Sequence, residues 1–384
     1  MRIGINALYL LPGKVGGSET YIRNLVKWLV KTGRRNEFFI FINKESVGVF
    51  EKIAPGINVI LCPINASNRP VRILWEQIML PLQVKKHKID ILFSGGMTSP
   101  FYCPAPSYVS IYDLQHINQP QNFPKFYLWF LRTIIYLSAK TSNGVLTLSG
   151  RSKADITRHY GIDDKRVWVT YLASDNKSFY RHSDKEISAV RKKYSLPERF
   201  ILYIASSLPH KNYERLLEAF KTVKQGEDGI KLVLIGARDY GFDVIQKKIK
   251  ELELEDDVVF LGWLPFEDIP LIYCASDVFV FPSLHEGFGI PVLEAMSCGV
   301  PVVCSKIEPL TEVAADAAYF VNPLDAGDMA KGISSVLRDK KLRDRLIKDG
   351  LKRAKEFSWE RTAKDTLSAI SSGSGGKACK SLQR

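Results

Sequence analysis

Residues 281–299 read FPSLHEGFGIPVLEAMSCG, and the fold turns on how that stretch is parsed. An apolar run, DVFVFP at 277–282, stops at Ser283. A short loop with His285, Glu286, Gly287, Phe288 and Gly289 follows, and Pro291 opens a segment with helical spacing. Strand, glycine loop and helix N-terminus in that order form an anion cradle. The unpaired amides of a first turn point out of the helix, and its dipole favours negative charge there. Pro291 suits a first helical position, where a missing N–H costs nothing. Glu286 and Glu294 flank the cradle. Carboxylates repel phosphate, so their task is to accept hydrogen bonds from hydroxyl groups attached to it. A ligand with an anionic middle and hydroxyl-rich ends is a nucleotide sugar. Taken singly, a glutamate in a first turn is a dipole partner and Gly-Phe-Gly a plain turn. Together, at the end of a parallel strand, they mark a site.

The same alternation of apolar runs and helical periods extends both ways from this stretch. Strands are expected at 200–206, 231–236, 258–261, 278–281 and 300–305, with helices at 212–224, 244–252 and 266–275 between them. Nearer the start, residues 2–9 (RIGINALY) begin as a strand and run into the loop LLPGKVGGS at 10–18. Ser18 is placed as the N-cap of a helix in which Tyr21, Ile22, Leu25, Val26, Leu29 and Val30 recur at helical spacing. Further strands are expected at 38–42, 58–62, 89–93, 107–112, 145–149 and 167–172, with helices at 71–86 and 149–160. Alternation of this kind predicts two doubly wound α/β units, each a parallel sheet covered by helices. Ligand is then expected in the cleft between them.

Three loops at strand ends carry candidate chemistry. Gly16 and Gly17, directly before a helix, would let a phosphate approach the backbone. Asp113 and His116 form a polar cluster in SIYDLQHINQP at 110–120. His116 is either an acid/base group or a substrate hydrogen-bond donor, or else a solvated or capping loop histidine. In SSLPHKN at 206–212, Lys211 offers a mobile cation to phosphates, and Ser207 is counted with it. The segment 126–137 (FYLWFLRTIIYL) reads as a buried helix on the sheet, with a membrane-touching helix as the alternative.

With 384 residues the chain exceeds one typical core and suits two domains. Its 46% hydrophobic and 25% charged residues are those of an ordered soluble protein. No leader-like segment and no run of roughly 20 uncharged apolar residues is visible. Cys62, Cys103, Cys274, Cys298, Cys304 and Cys379 lack CxxC pairing, which argues against zinc and a disulfide framework and fits a reducing cytosol. Residues 1–190 hold 25 Lys+Arg against 13 Asp+Glu, whereas 191–384 hold 29 against 28. A basic first half suggests an anionic membrane surface as partner. No helix-turn-helix, RNP or zinc-finger pattern supports nucleic acid.

These residues strongly resemble the donor-site signature of the retaining family 4 glycosyltransferases, two-domain proteins of the GT-B fold. The elements matched are Glu286, Gly287, Phe288, Gly289, Ile290, Pro291, Glu294, Ala295, Gly299, Pro301 and Val302. Weaker matches are Gly16-Gly17-x-Glu19, Trp75-Glu76-Gln77, Asp113-Leu114-Gln115-His116, residues 209–212 and 259–262, and Phe357-Ser358-Trp359, so nearly the whole chain is covered. The resemblance implies Glu294 on the nucleotide ribose and Glu286 beside the donor sugar. It implies the Phe288, Gly289 and Ile290 amides on the diphosphate, Lys211 on the leaving phosphate, and Gly16 and Gly17 closing over the donor. Two departures stand out. No arginine precedes Lys211 in 206–210, and Tyr112 stands where relatives have the histidine of His-Asp-Leu, leaving the N-domain polar role to Asp113 or His116.

The domains expected are 1–185 on the acceptor side, 186–355 binding the nucleotide sugar, a helix 356–370 crossing back, and a disordered tail 371–384. The resemblance implies hexosyl transfer with retention from a nucleoside diphosphate sugar to a glycan or lipid-linked acceptor in surface-polysaccharide or lipopolysaccharide synthesis. The DLQH-type loop leans toward GDP-mannose. No metal is expected, as no DxD loop sits at a strand end, and the place is the cytoplasm or the inner membrane face. The rivals are a nucleotide-sugar 2-epimerase on the same scaffold and a non-catalytic, membrane-docked binding protein.

Overall fold

In a computed structural model of the chain, which describes residues 1–13, 16–237 and 241–372, apolar runs become strands and periodic segments become helices. Two units result: Met1–Leu172 with the segment from Trp359 onward, and Ala173–Ser358. The division falls ahead of the expected 185/186. The helix Asp184–Lys193 belongs with the second unit, where Lys193 Nζ reaches Asp268 at 2.7 Å, and Ser174 Oγ lies 2.7 Å from Ser297 Oγ.

The first unit contains β1 (Arg2–Asn6), β2 (Glu37–Ile42), β3 (Asn58–Leu61), β4 (Ile91–Ser94), β5 (Ser107–Ser110), β6 (Gly144–Thr147) and β7 (Val167–Val169). Their order is β3-β2-β1-β4-β5-β6-β7. All pairs are parallel, with Ile3 opposite both Phe38 and Ile91. The second unit contains β8 (Arg199–Ile204), β9 (Ile230–Ile235), β10 (Val258–Gly262), β11 (Val278–Phe281), β12 (Val302–Ser305) and β13 (Tyr319–Val321). They run β10-β9-β8-β11-β12-β13, again parallel. Strands covered on both faces need apolar side chains on both, which is why they read as unbroken apolar runs. Phe279, Val280 and Phe281, like Ile201, Leu202 and Tyr203, are fully buried.

Each order reverses beside its first strand, between β1 and β4 and between β8 and β11. The carboxyl ends at such a reversal are where open parallel sheets take ligands. In the first unit Asn6, Ser94, Ser110 and Thr147 end β1, β4, β5 and β6, and all four are buried.

Several local expectations are corrected. The first helix, Gly17–Thr32, is capped by Gly16 at φ 55°, not by Ser18. Lys14 and Val15 of the preceding loop lie outside the described residues. Pro291 is the second residue of the helix Ile290–Ser297, and Glu294 stands in its second turn. The helix expected at 126–137 runs Lys125–Thr141 and buries only Ile134, Ile135, Ser138 and Ala139. Its first half buries no side chain fully, although Phe130 and Leu131 pack against the core. The edge strand β13 and the helices Ala326–Arg338 and Lys340–Ala354 were not foreseen. Ser371 and Ser372 complete the helix Trp359–Ser372, and the rest of the expected tail lies outside the described residues.

Candidate functional site

In the second unit, the turn after β8 and the loop after β11 meet. Pro209–Lys211 is a single 3-10 turn, and Asn212 behind it takes a left-handed conformation at φ 62°. Asparagine tolerates that region better than most residues. Asn212 Nδ2 donates to Pro282 O at 3.0 Å and Pro323 O at 2.7 Å, and Leu284 N donates to His210 O at 2.8 Å. These bonds clamp the two loops together. They aim Lys211 Nζ at Glu286 Oε1, 2.6 Å away, with side chains 16% and 12% exposed. The ammonium also sits over the Phe281 ring, 5.4 Å from its centroid, a further attraction for a cation. His210, beside it, is buried, and burial together with the Lys211 charge pushes its imidazole down to about 4. It is therefore neutral near neutral pH.

The loop then enters the helix Ile290–Ser297. Gly289 caps it at φ 96°, and a Cβ there would lie 2.4 Å from Leu310 Cδ2, so only glycine fits this turn. The first intrahelical bond is donated by Val292 to Gly289 O at 3.0 Å. The amides of Gly289 and Ile290 precede it, at the positive end of the helix dipole. Gly287 sits in the same loop, and the buried Phe288 packs edge-on against Phe357 at 6.0 Å. One turn on, Glu294 Oε2 accepts from Tyr273 OH at 3.2 Å. Loss of hydration raises this carboxyl to about 7, with the Tyr273 hydroxyl opposing the shift. Lys211 and Glu286 are thus brought together across 75 residues of sequence, and Glu286, the 288–290 backbone and Glu294 follow one another along a single loop and helix. Ser207 stands apart from them: buried, its hydroxyl donates to Ala237 O at 2.8 Å. It lines a cavity of about 440 Å³ with Asn212, Arg215, Gly241 and Val244 that does not include the ion pair.

In the first unit, Gly16 and Gly17 head their helix with open space where a Cβ would stand. Asp113 is partly exposed and its Oδ1 accepts from Gln115 N at 2.9 Å. His116 is buried instead, with Nε2 2.8 Å from Tyr160 OH. Burial, and secondarily the charge of Arg132, pushes its imidazole down to about 4. The structure thus places His116 in the core beside Tyr160 and not in solvent, where a loop histidine was the alternative. Burial deprives it of both solvent and charge.

Sequence reasoning gave no role to the polar network around Glu76. This buried carboxylate accepts at Oε2 from Asn6 Nδ2 at 3.0 Å, Thr98 Oγ1 at 3.1 Å and Arg72 Nη1 at 3.4 Å. Its Oε1 has no hydrogen-bond partner among the described residues. Nearby, Tyr21 OH and Ser110 Oγ are 2.8 Å apart, and Tyr112 OH donates to Gly95 O. A signal was present: Glu76 falls at helical spacing with Ile73, Leu80 and Val84, on the buried stripe of its helix.

Comparison with known proteins shows the family and the fold. A family model described as Glycosyl transferases group 1 matches residues 157–353, and one described as Glycosyltransferase Family 4 matches residues 15–175. The chain is 33% identical to O-antigen chain mannosyltransferase B of Escherichia coli over 70% of this chain and 72% of that one. It is 30% identical to the O-antigen chain mannosyltransferase RfbU of Salmonella typhimurium over 59% of this chain and 60% of the relative. Among solved structures, sucrose-phosphate synthase from Thermosynechococcus elongatus superposes with a TM-score of 0.78 at 20% identity, covering 97% and 98% of the two chains. The fold is GT-B, built from two Rossmann-like units.

Proposed function

The chain belongs to the group 1 glycosyl transferases, and from that premise we propose that it moves a mannosyl group from GDP-mannose, with retained anomeric configuration, to a hydroxyl of a lipid-linked glycan. The observation that carries the reading is the Lys211–Glu286 pair, 2.6 Å apart at the head of the Ile290–Ser297 helix. A transferred sugar leaves behind a diphosphate whose charge grows as the bond to the sugar breaks. Lys211 and the Gly289 and Ile290 amides offer fixed positive potential for that charge, the kind of preorganised stabilisation that dominates such reactions. The diphosphate competes with Glu286 for Lys211, and releases the Glu286 carboxylate toward the sugar carbon as it turns cationic. Glu294 accepts from the ribose hydroxyls. Gly16 and Gly17 leave room for a phosphate to approach the backbone.

Mannose is favoured because two relatives are named mannosyltransferases. Those names also support an O-antigen-like acceptor, assigned here to the first unit with Asp113 at its polar strand ends. No metal enters the scheme, since Lys211 and the helix amides meet the diphosphate charge. The proposed setting is the cytoplasmic side of a membrane, with peripheral attachment; no helix among the described residues is long and apolar enough to cross it. A thermal-shift and turnover panel of GDP-, UDP- and ADP-sugars tests the donor. Stabilisation and acceptor-dependent consumption of GDP-mannose are expected. An epimer formed without acceptor would favour the 2-epimerase, and no sugar-nucleotide response would favour the non-catalytic binding protein.

A further inference from the structure

The helix Arg69–Lys86 is built inside out. Its buried stripe carries the charged Arg72 and Glu76 among Ile73, Leu80 and Val84. Its outer stripe is apolar: Val71, Leu74, Ile78 and Leu82 are exposed, Leu74 to 60%. The four recur every three or four residues and so form a single line along the helix. Lys85 and Lys86 close it at the C-terminal end. The first half of Lys125–Thr141 repeats the inversion, with Phe126 83% and Trp129 65% exposed.

These two helices share one side of the first sheet. Each links a strand to the next in the same direction across it, β3 to β4 and β5 to β6, and right-handed crossovers of the same direction lie on the same face. They also touch. Arg69 Nη1 donates to Tyr127 OH at 2.8 Å, and Gln77 brackets the intervening loop through Ser99 O at 3.2 Å and Phe101 N at 2.9 Å. The next residue, Tyr102, is 76% exposed. Exposed apolar and aromatic side chains thus line two adjoining helices and the loop between them, a grouping and not isolated surface leucines.

Its charge is one-sided. On the two helices every exposed charge is positive, namely Arg69, Lys85, Lys86, Lys125, Arg132 and Lys140, while their one carboxylate, Glu76, is buried with Arg72. An apolar face with interfacial aromatics and a purely cationic rim matches the headgroup region of an anionic bilayer. We propose that the outer faces of Arg69–Lys86 and Lys125–Thr141, with Tyr102 between them, form a docking face for an anionic phospholipid membrane. This deepens the reading of a lipid-linked acceptor, but it stands on a surface separate from the Lys211–Glu286 cluster.

Cosedimentation of the full chain with phosphatidylcholine vesicles, with and without phosphatidylglycerol, tests the face. Binding to the anionic vesicles, weakened by salt, is expected. The variant Leu74→Ser/Ile78→Ser/Leu82→Ser should bind on the order of 100-fold more weakly, with its melting temperature near wild type. Lys85→Glu/Lys86→Glu should erase the preference for anionic over neutral vesicles. Equal partition of the wild type between the two vesicle types, or undiminished binding by the triple serine variant, would overturn the proposal. So would self-association that the triple variant abolishes while neither protein binds vesicles, which would assign the face to a second copy of the chain. GDP-mannose consumption with a water-soluble acceptor, measured on the same proteins, keeps the two readings apart. Its loss with vesicle binding intact counts against the proposed function and leaves the docking face standing.

Discussion

Replacing Glu294 with glutamine removes a carboxyl that its surroundings raise from an ordinary 4.5 to about 7. In the unfolded chain the group returns to its ordinary value. Between the two values the folded protein therefore holds more of the proton than the unfolded one. Stability from this group is fully present below pH 4.5 and is lost as pH rises through about 7. At 1.36 kcal/mol per pH unit, the whole effect is about 3 kcal/mol. Urea unfolding of wild type and Glu294→Gln across that range measures it as a difference, so other titrating groups cancel. The wild type should lose about 3 kcal/mol relative to the variant between acid and alkaline ends. Saturating nucleotide should flatten that slope, because ribose hydroxyls donated to Glu294 favour its ionised form. A wild-type-minus-variant difference that stays constant with pH would refute the reasoning, since it would mean the carboxyl is not held out of water.

Further outcomes concern the second-unit loops and the buried His116 of the first unit. Lys211→Ala and Glu286→Ala should each lose turnover by about 2.7–4 kcal/mol of transition-state stabilisation, measured as kcat with saturating donor. Glu294→Ala should mainly raise the donor KM. Gly289→Ala should destabilise the second unit by roughly 1–2 kcal/mol from its left-handed backbone alone, with the added clash on Leu310 seen as a lower melting temperature. His116→Phe should cost about 1–3 kcal/mol by stranding the Tyr160 hydroxyl, while kcat holds; a collapse of kcat with stability intact would restore His116 to the chemistry.

The sheets were legible because strands buried on both faces are apolar throughout, as in VFVF at 278–281 and FILYI at 200–204. The glycine loop and helix from Glu286 to Glu294 were legible because their parts lie within a few residues of one another, whereas the Lys211–Glu286 contact, 75 residues apart in sequence, was not. Edge strand β13 escaped because its three residues, two of them partly exposed, carry too little pattern. The Gly16 cap escaped because a serine two residues on offered the commoner chemistry. His116 and Glu76 were misjudged or passed over for a shared reason: one-dimensional spacing does not reveal whether a polar side chain points outward. For Glu76 the helical period did hold that information, in the form of a carboxylate on an apolar stripe. The same inversion left Leu74, Ile78 and Leu82 outside, where composition alone saw ordinary helix residues.

Hexosyl transfer with retention at the Lys211–Glu286 pair is the central proposal. Proton NMR of the first product formed from GDP-mannose and an acceptor, in the presence of a metal chelator, addresses it most directly. An anomeric signal with the donor's α-configuration, absent with Lys211→Ala, is predicted. A β-configured product, or transfer that stops in chelator and returns with Mg²⁺ or Mn²⁺, would contradict it.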